Sequence, residues 1–471
     1  MQFLPELTLL GAGLIIFMVS LGKTNAELTR NIAIGLGAAV FGATVLSYCA
    51  EGKLFFGAYQ VNLYSQVFKT LIAGAMLGVL IFGKELKGVC RKVHPEYYLF
   101  LFMSVLGLMM LVSSVELISI FVSLELSSFA VYIMVPMRDD SGKIRFQMEA
   151  GIKYLLFGVT ATGFMLFGMS YMYGLTGSTD LATIISKYST MWAHPAYVIS
   201  MMMVLAGFFY KLAIFPFHFW VPDVYEGASN ETTAFIATVP KLAATALLIR
   251  LISQISGDGQ VIINVLMVCA VASMFYGNLS ALVQKDVKRM LGFSGIAHAG
   301  FVLLGILTFQ ITGYANAMYY IIGYVLMNLA CFLVICNVSD KGENVMIEDL
   351  SGLHKRSPLM AFTLAVGLFA LAGIPPFVGF MGKFMLLTGA LKAGYMPVVI
   401  LAAINTAIAI YYYLSVVRVT YCSDPNENSD VAAPSMLINA TSVLLLAAIV
   451  FMGVSPQRFI DFASTAVQSI M

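Results

Sequence analysis

Four lysines lie where lysines are costly. Lys153 in EAGIKYLLFG, Lys211 in MVLAGFFYKLAIFPFHFWVP, Lys241 in TAFIATVPKLAATALLI and Lys383 in LAGIPPFVGFMGKFMLL each sit inside a long apolar run. A charged side chain at mid-membrane costs at least about 2.5–3.5 kcal/mol on insertion scales, so it needs a reason. The bland reason is snorkelling, in which the aliphatic stem lies in the apolar layer and the amine reaches the interface. That alternative is weakest for Lys241, near the middle of its run, and stays level with a functional role for Lys153, close to the start of its helix. Glu125, in FVSLELSSFAVYIM, is the acid at the middle of a span, and Glu116, nine residues earlier, reads as interfacial. Burial disfavours the charged form of a lysine, and a neighbouring carboxylate favours it. A Lys–Glu pair of adjustable separation is therefore a switchable proton site. His298, in LGFSGIAHAGFVLLG, adds a group that titrates near neutral pH and suits a relay, although a neutral histidine bonded to a carbonyl would fit the same position. His218, just past Pro216, reads as an interfacial residue.

These groups need membrane helices to hold them. The chain has 471 residues, 60% hydrophobic and only 11% charged, where soluble domains carry about a quarter charged residues. A spanning helix needs about 20 mostly apolar residues. Fourteen runs qualify, centred near residues 13, 40, 75, 105, 126, 162, 206, 241, 270, 298, 324, 371, 406 and 444. The fold class is all-α and polytopic, with short loops and both termini on one side. Of 26 Lys and Arg, 16 fall in loops on one side (Lys23, Arg30, Lys84, Lys87, Arg91, Lys92, Arg138, Lys143, Arg145, Lys285, Lys288, Arg289, Lys341, Lys355, Arg356 and Arg418). Six fall on the other: Lys53, Lys69, Lys187, Arg250, Lys392 and Arg458. The positive-inside rule then places both termini outside. The four lysines named first are the remainder. Lys23 is the first basic residue, so the N-terminus reads as a retained first span rather than a signal peptide.

Lys211 and Lys383 also suggest an internal repeat. Phe215-Pro216-Phe217 follows one and Pro375-Pro376-Phe377 precedes the other. Proline removes a backbone donor and clashes with the preceding turn. In lipid such a break survives only where protein or a water-filled cavity satisfies the freed carbonyls. A broken helix beside a lysine is thus a sign of a transport path. The two spans, seventh and twelfth, are five apart, which gives them opposite orientation as inverted repeats require.

Other chemistry is excluded or unsupported. A net charge of +2 offers no basic face for a nucleic acid. The six cysteines, Cys49, Cys90, Cys269, Cys331, Cys336 and Cys422, form no CxxC pair and read as core or lipid-facing residues. There is no phosphate loop, haem-ligand pattern or cysteine cluster. No cofactor and no metal is expected in this chain, and the energy source must come from partners.

The blocks EAGIKYLLFGVTATGFMLFGMSYMYGLTG, FYKLAIFPFHFWVPDVYEGA, VPKLAA, DVKRMLGFSGIAHAGF and LAGIPPFVGFMGKF, in this order, resemble the antiporter-like membrane subunits of bacterial NADH–quinone oxidoreductase (complex I), most closely the N type. The resemblance covers most of the chain. It implies fourteen helices with two inverted five-helix repeats and two broken helices. The expected division is residues 1–95, three helices; 96–255, the first repeat; 256–420, the second; and 421–471, a C-terminal helix. It implies a proton path through Glu125, Lys211, Lys241, His298 and Lys383, with Lys153 accessory. Glu125 would pair with Lys211, Lys241 and His298 would join the central water path, and Lys383 would lead to the exit. NADH, flavin, iron–sulfur clusters and quinone would belong to partner subunits, and the L- and M-type subunits would be neighbours in a bacterial inner membrane, with both termini periplasmic. The M type carries a glutamate where this chain has Lys383, and L-type chains are longer. Mrp-type cation/proton antiporter subunits are the alternative of different class. A reporter fused at Lys341 and another at the C-terminus should lie on opposite sides of the membrane; a same-side result would overturn the span count.

Overall fold

The computed structural model describes residues 1–22, 25–83, 85–139, 146–188, 194–254, 260–424 and 434–471. Of the basic residues that set the orientation, Lys23, Lys84, Lys143 and Arg145 lie outside the described residues. The chain opens with α1 (Leu4–Ser20), α2 (Ala26–Leu46), a small antiparallel hairpin of β1 (Gly52–Leu54) and β2 (Tyr59–Val61), then α3 (Leu63–Phe82). α4 (His94–Ser113), α5 (Leu117–Met134), α6 (Phe146–Thr176), the short α7 (Leu181–Tyr188), α8 (Pro195–Leu212), α9 (Trp220–Gly227) and α10 (Asn230–Ser253) follow. The second half holds α11 (Gln260–Ala281), α12 (Val287–Ile306), α13 (Ile311–Val338), the single turn α14 (Leu353–Arg356), α15 (Pro358–Ala372), α16 (Val378–Lys392) and α17 (Met396–Cys422). α18 (Met436–Val454) and α19 (Pro456–Gln468) close the chain.

Twelve helices among the described residues are long and apolar enough to cross a membrane. The 17-residue α1 and the broken pair α15–α16 complete the fourteen crossings expected from sequence. Every expected centre falls inside a helix. The C-terminal segment differs: it holds two helices, not one. Pro456 starts α19 in a new direction, and Ala463, Ala466 and Val467 bury one face of this otherwise polar helix. Ser469 then ties the end of the chain to the start of α3, its carbonyl accepting from Asn62 Nδ2 at 3.3 Å and its hydroxyl from the Tyr64 amide at 3.3 Å.

Burial grades across the bundle and so places the site. The best window of α10 is 100% buried and that of α12 is 94% buried, whereas α2, α17 and α18 each bury 33% and present the rest to lipid. α10 is packed by α3, α4, α8, α12 and α13, so it forms the axis of the bundle. With no hydrophobic force between helices in lipid, close approach depends on small residues. Gly277 on α11 faces the backbone of α12: a Cβ there would lie 2.6 Å from Phe293 O and 2.7 Å from Ala297 N. Gly300 on α12 reciprocates, its Cβ position lying 2.6 Å from Ala270 O. Gly277→Val should force these helices apart, at a cost of about 1–3 kcal/mol, and lower the amount of chain recovered in membranes. Gly163→Val, at a position with nothing within 4 Å, should leave that amount unchanged on an immunoblot.

Candidate functional site

Both expected helix breaks are present and share one geometry. α8 ends at Ala213, a non-glycine residue in the left-handed region (φ 62°), and α15 ends at Gly373 (φ 87°). In each, the second residue past the helix turns its amide back to the same kind of acceptor: Ile214 N to Phe209 O at 2.8 Å, and Ile374 N to Phe369 O at 3.0 Å. The proline–aromatic element follows, and the chain re-enters a helix at Trp220 in one case and Val378 in the other.

The freed carbonyls are satisfied in two ways. At the first break the Trp220 indole donates to Tyr210 O at 3.1 Å. At the second, Lys383 reaches back from α16 and its amine donates to Leu371 O at 2.8 Å and Ala372 O at 3.1 Å. These are the last carbonyls of α15, where the helix dipole is negative, so the break supplies the partner that a buried cation requires. The Phe301 ring lies 5.2 Å from the same amine.

Lys211 occupies the last turn of α8, 3% exposed, and its amine has no hydrogen-bond partner. Glu125, on α5 and 8% exposed, is the carboxylate whose charge reaches it. The two form no direct ion pair; Glu125 Oε1 is also unpartnered. Around them stand Tyr132, Tyr154 and Tyr210, with Tyr210 donating to Tyr154 O at 2.8 Å.

The centre of the bundle holds two hydrogen-bonded polar groups that meet where the His298 and Tyr324 ring centroids lie 5.1 Å apart. The Lys241 amine lies 3.0 Å from Tyr324 Oη, to which it donates. Gly295 on α12 makes room for both groups: a Cβ there would lie 2.7 Å from Lys241 Nζ and 2.8 Å from Tyr324 Oη. His298, one turn further along α12, is held on both ring nitrogens, Nδ1 at 2.6 Å from Tyr320 Oη and Nε2 at 3.1 Å from Tyr413 Oη. Tyr413 bonds in turn to Ser294. The charges of Lys383 and Lys241 both reach His298.

Five of the six residues singled out from sequence are thus buried in the membrane interior. Lys153 is not. Its side chain is 38% exposed, and its amine pairs with Glu149 at 2.7 Å and Asp223 at 2.6 Å. Arg289 joins this cluster through Asp223 at 3.0 Å and through Glu226. α6 begins at Phe146, so Lys153 lies only two turns in, one turn from Glu149 and level with α9, which brings Asp223. His218 departs from its interfacial reading in the other direction: it is 0% exposed, with both ring nitrogens unpartnered and its ring against Phe215, Phe219 and Tyr276. The break in α8 turns it inward.

Sequence reasoning missed other buried charges because it counted them with the loops. Lys69 is fully buried and pairs with Glu6 at 2.8 Å. Tyr59 donates to the same carboxylate at 2.6 Å, and burial together with Glu6 pushes its hydroxyl well above the ordinary range, so it remains a donor. Lys288, Arg250 and Glu231 are also buried. The tyrosines had a usable signal: Tyr320 and Tyr324 are four apart, which puts both on the face of α13 that meets α12.

Residues 114–409 match the family described as NADH:quinone oxidoreductase/Mrp antiporter, transmembrane. The chain is 48% identical over 469 residues to NADH-quinone oxidoreductase subunit N 2 of Opitutus terrae, covering 100% of this chain and 98% of that one. It is 39% identical over 472 residues to subunit N 2 of Syntrophobacter fumaroxidans, covering 100% and 99%. Among solved structures it superposes on a chain of respiratory complex I from Thermus thermophilus with a TM-score of 0.83 and 28% identity, over 98% of this chain and 99% of that one. A chain of the Mrp complex from Dietzia shares the fold, with a TM-score of 0.86 at 20% identity over 100% and 96%. The chain belongs to the NADH:quinone oxidoreductase/Mrp antiporter family of membrane subunits, on the branch of the N-type subunits of NADH-quinone oxidoreductase.

Proposed function

We propose that this chain is the proton-translocating N-type subunit in the membrane arm of a respiratory NADH–quinone oxidoreductase. It moves protons while electrons pass from NADH to quinone through flavin and iron–sulfur clusters held by partner subunits. It sits in a bacterial inner membrane with both termini periplasmic, beside L- and M-type subunits. Residues 96–255 and 256–420 act as two halves, each built around one broken helix.

The observation that carries this reading is the run of buried titratable groups across the middle of the bundle. Glu125 and Lys211 lie in the first half, Lys241 on the axis, and His298 and Lys383 in the second half. Lys241, Tyr324, His298, Tyr320, Tyr413 and Ser294 supply the hydroxyls and ring nitrogens of a relay. Glu125 holds a proton at Lys211 while its charge is near and releases it when that charge moves away or is neutralised, because a carboxylate favours the ammonium form and burial disfavours it. Lys383 hands its proton onward from the carbonyls that end α15. Lys153, in its exposed ion cluster, acts only by holding α6 to α9.

Lys211→Met keeps the length and apolar character of the side chain and lowers the insertion cost. A snorkelling lysine would tolerate it. The assembled complex should instead lose most of its proton pumping at normal subunit abundance. Lys211→Arg keeps the charge but cannot release a proton near neutral pH, so it should fail as well; full pumping by the Arg variant would reduce Lys211 to a structural charge. Gly295→Ala should push Lys241 off Tyr324 and lower coupled turnover in vesicles by about tenfold, the order expected when one positioned proton-transfer group is misplaced. Gly163→Ala should leave turnover unchanged.

A further inference from the structure

Lys241 is enclosed by its neighbours along the whole of α10, so a proton from the inner face needs titratable groups on the way. α10 and α12 both start on the side that carries the basic loops and run parallel. Ten residues before Lys241 on α10 is Glu231, and ten residues before His298 on α12 is Lys288. The two pairs are therefore stacked along the same two helices, about 15 Å apart at 1.5 Å per residue. Glu231 is 3% exposed and Lys288 is 0% exposed. Lys288 donates to Ala228 O at 2.8 Å. Glu231 Oε2 has no hydrogen-bond partner, although the carboxylate lies within the fields of Lys288 and of Lys87, whose amine is bonded to Ser339 O at 2.8 Å. The carboxylate's field reaches Tyr97 and Tyr98 on α4 and Cys336 on α13. Gly83 leaves it room, since a Cβ there would lie 2.9 Å from Glu231 Cγ. Tyr98 in turn lines a polar cavity of about 480 Å³. Glu27, Arg30, Arg91 and His94 also line that cavity.

We propose that Glu231 is the proton-uptake group on the inner side of this subunit. It takes a proton from water in the cavity beside Tyr98 and passes it, through a chain of water admitted between α10 and α12, to the Lys241 amine about 15 Å further along. Each transfer moves one proton and no electron. Lys288, held on Ala228 O, is the positioning residue: its charge acts on the carboxylate from α12 through its field, without a direct ion pair. The proposal rests on the reading of Lys241 as a proton carrier. A carboxylate in the first turn of a helix also complements the helix dipole, so the test must separate the two roles.

The test uses the whole complex in vesicles, with pumping normalised to subunit abundance. Glu231→Gln keeps size and hydrogen bonding but cannot carry a proton. It should lower normalised pumping by about tenfold, the low end of what a positioned acid–base group contributes, with the loss deepening toward alkaline pH, where protons are scarce. Glu231→Asp should restore most of the pumping and the pH profile. Normalised pumping by the Gln variant at the wild-type level across the pH range would overturn the proposal, as would equal losses in Gln and Asp with an unmoved pH profile. Lys241→Met is measured alongside. If it pumps normally, the reading of Lys241 fails; if it is inactive while Glu231→Gln is normal, only the uptake role of Glu231 fails.

Discussion

A cation buried in a membrane protein needs a counter-charge, a set of dipoles or a proton acceptor, and this chain uses each solution at a different place. Lys69 takes the first, with Glu6 at 2.8 Å and Tyr59 completing the carboxylate. Lys383 takes the second, seated on the two carbonyls at the end of α15. Lys241 has only a phenol, and Lys211 has no partner within hydrogen-bond reach. A closed ion pair such as Lys69–Glu6 resists deprotonation because removing either charge strands the other. The two least anchored lysines are those beside the first break and on the bundle axis, where a mobile proton is useful.

The helix breaks follow from the same constraint. An unbroken α15 would have used its last carbonyls internally and left Lys383 without acceptors. Ending the helix at Gly373 exposes Leu371 O and Ala372 O, and restarting it at Val378 sets Lys383 to reach back to them. The first break does the complementary job. It places Lys211 on a terminal turn near Glu125, uses Trp220 to satisfy Tyr210 O, and turns His218 into the interior against Phe215, Phe219 and Tyr276. The close contacts of Gly277, Gly295 and Gly300 then fix α12 against α11 and α10, so that His298 and Lys241 meet the tyrosines of α13 and α17.

Much of this was legible in the sequence because lipid penalises charge so heavily. Lys211, Lys241 and Lys383 stand out in apolar runs, and the prolines beside two of them mark the breaks. What the sequence hid depends on distance between helices. Lys69 and Arg250 sit near the ends of spans, where a loop position and a buried one look alike along the chain, and only the packing of α1, α3 and α10 distinguishes them. Lys153 looked internal because its run is apolar; one acid that holds it, Glu149, lies one turn earlier on α6, and the other, Asp223, arrives from α9, 70 residues away in sequence. His218 was misplaced because a proline just before it suggested an end of the helix rather than a turn inward. The second helix of the C-terminal segment was hidden by its polarity.

The buried groups, read as one proton path, all connect through His298. The most direct measurement is the number of protons translocated per NADH oxidised by the assembled complex carrying His298→Phe, which keeps a flat ring but removes both nitrogens. A path through His298 requires a fall in that ratio or in coupled turnover at normal subunit abundance, while NADH oxidation by a water-soluble electron acceptor continues undiminished. An unchanged ratio together with unchanged coupled turnover would contradict it.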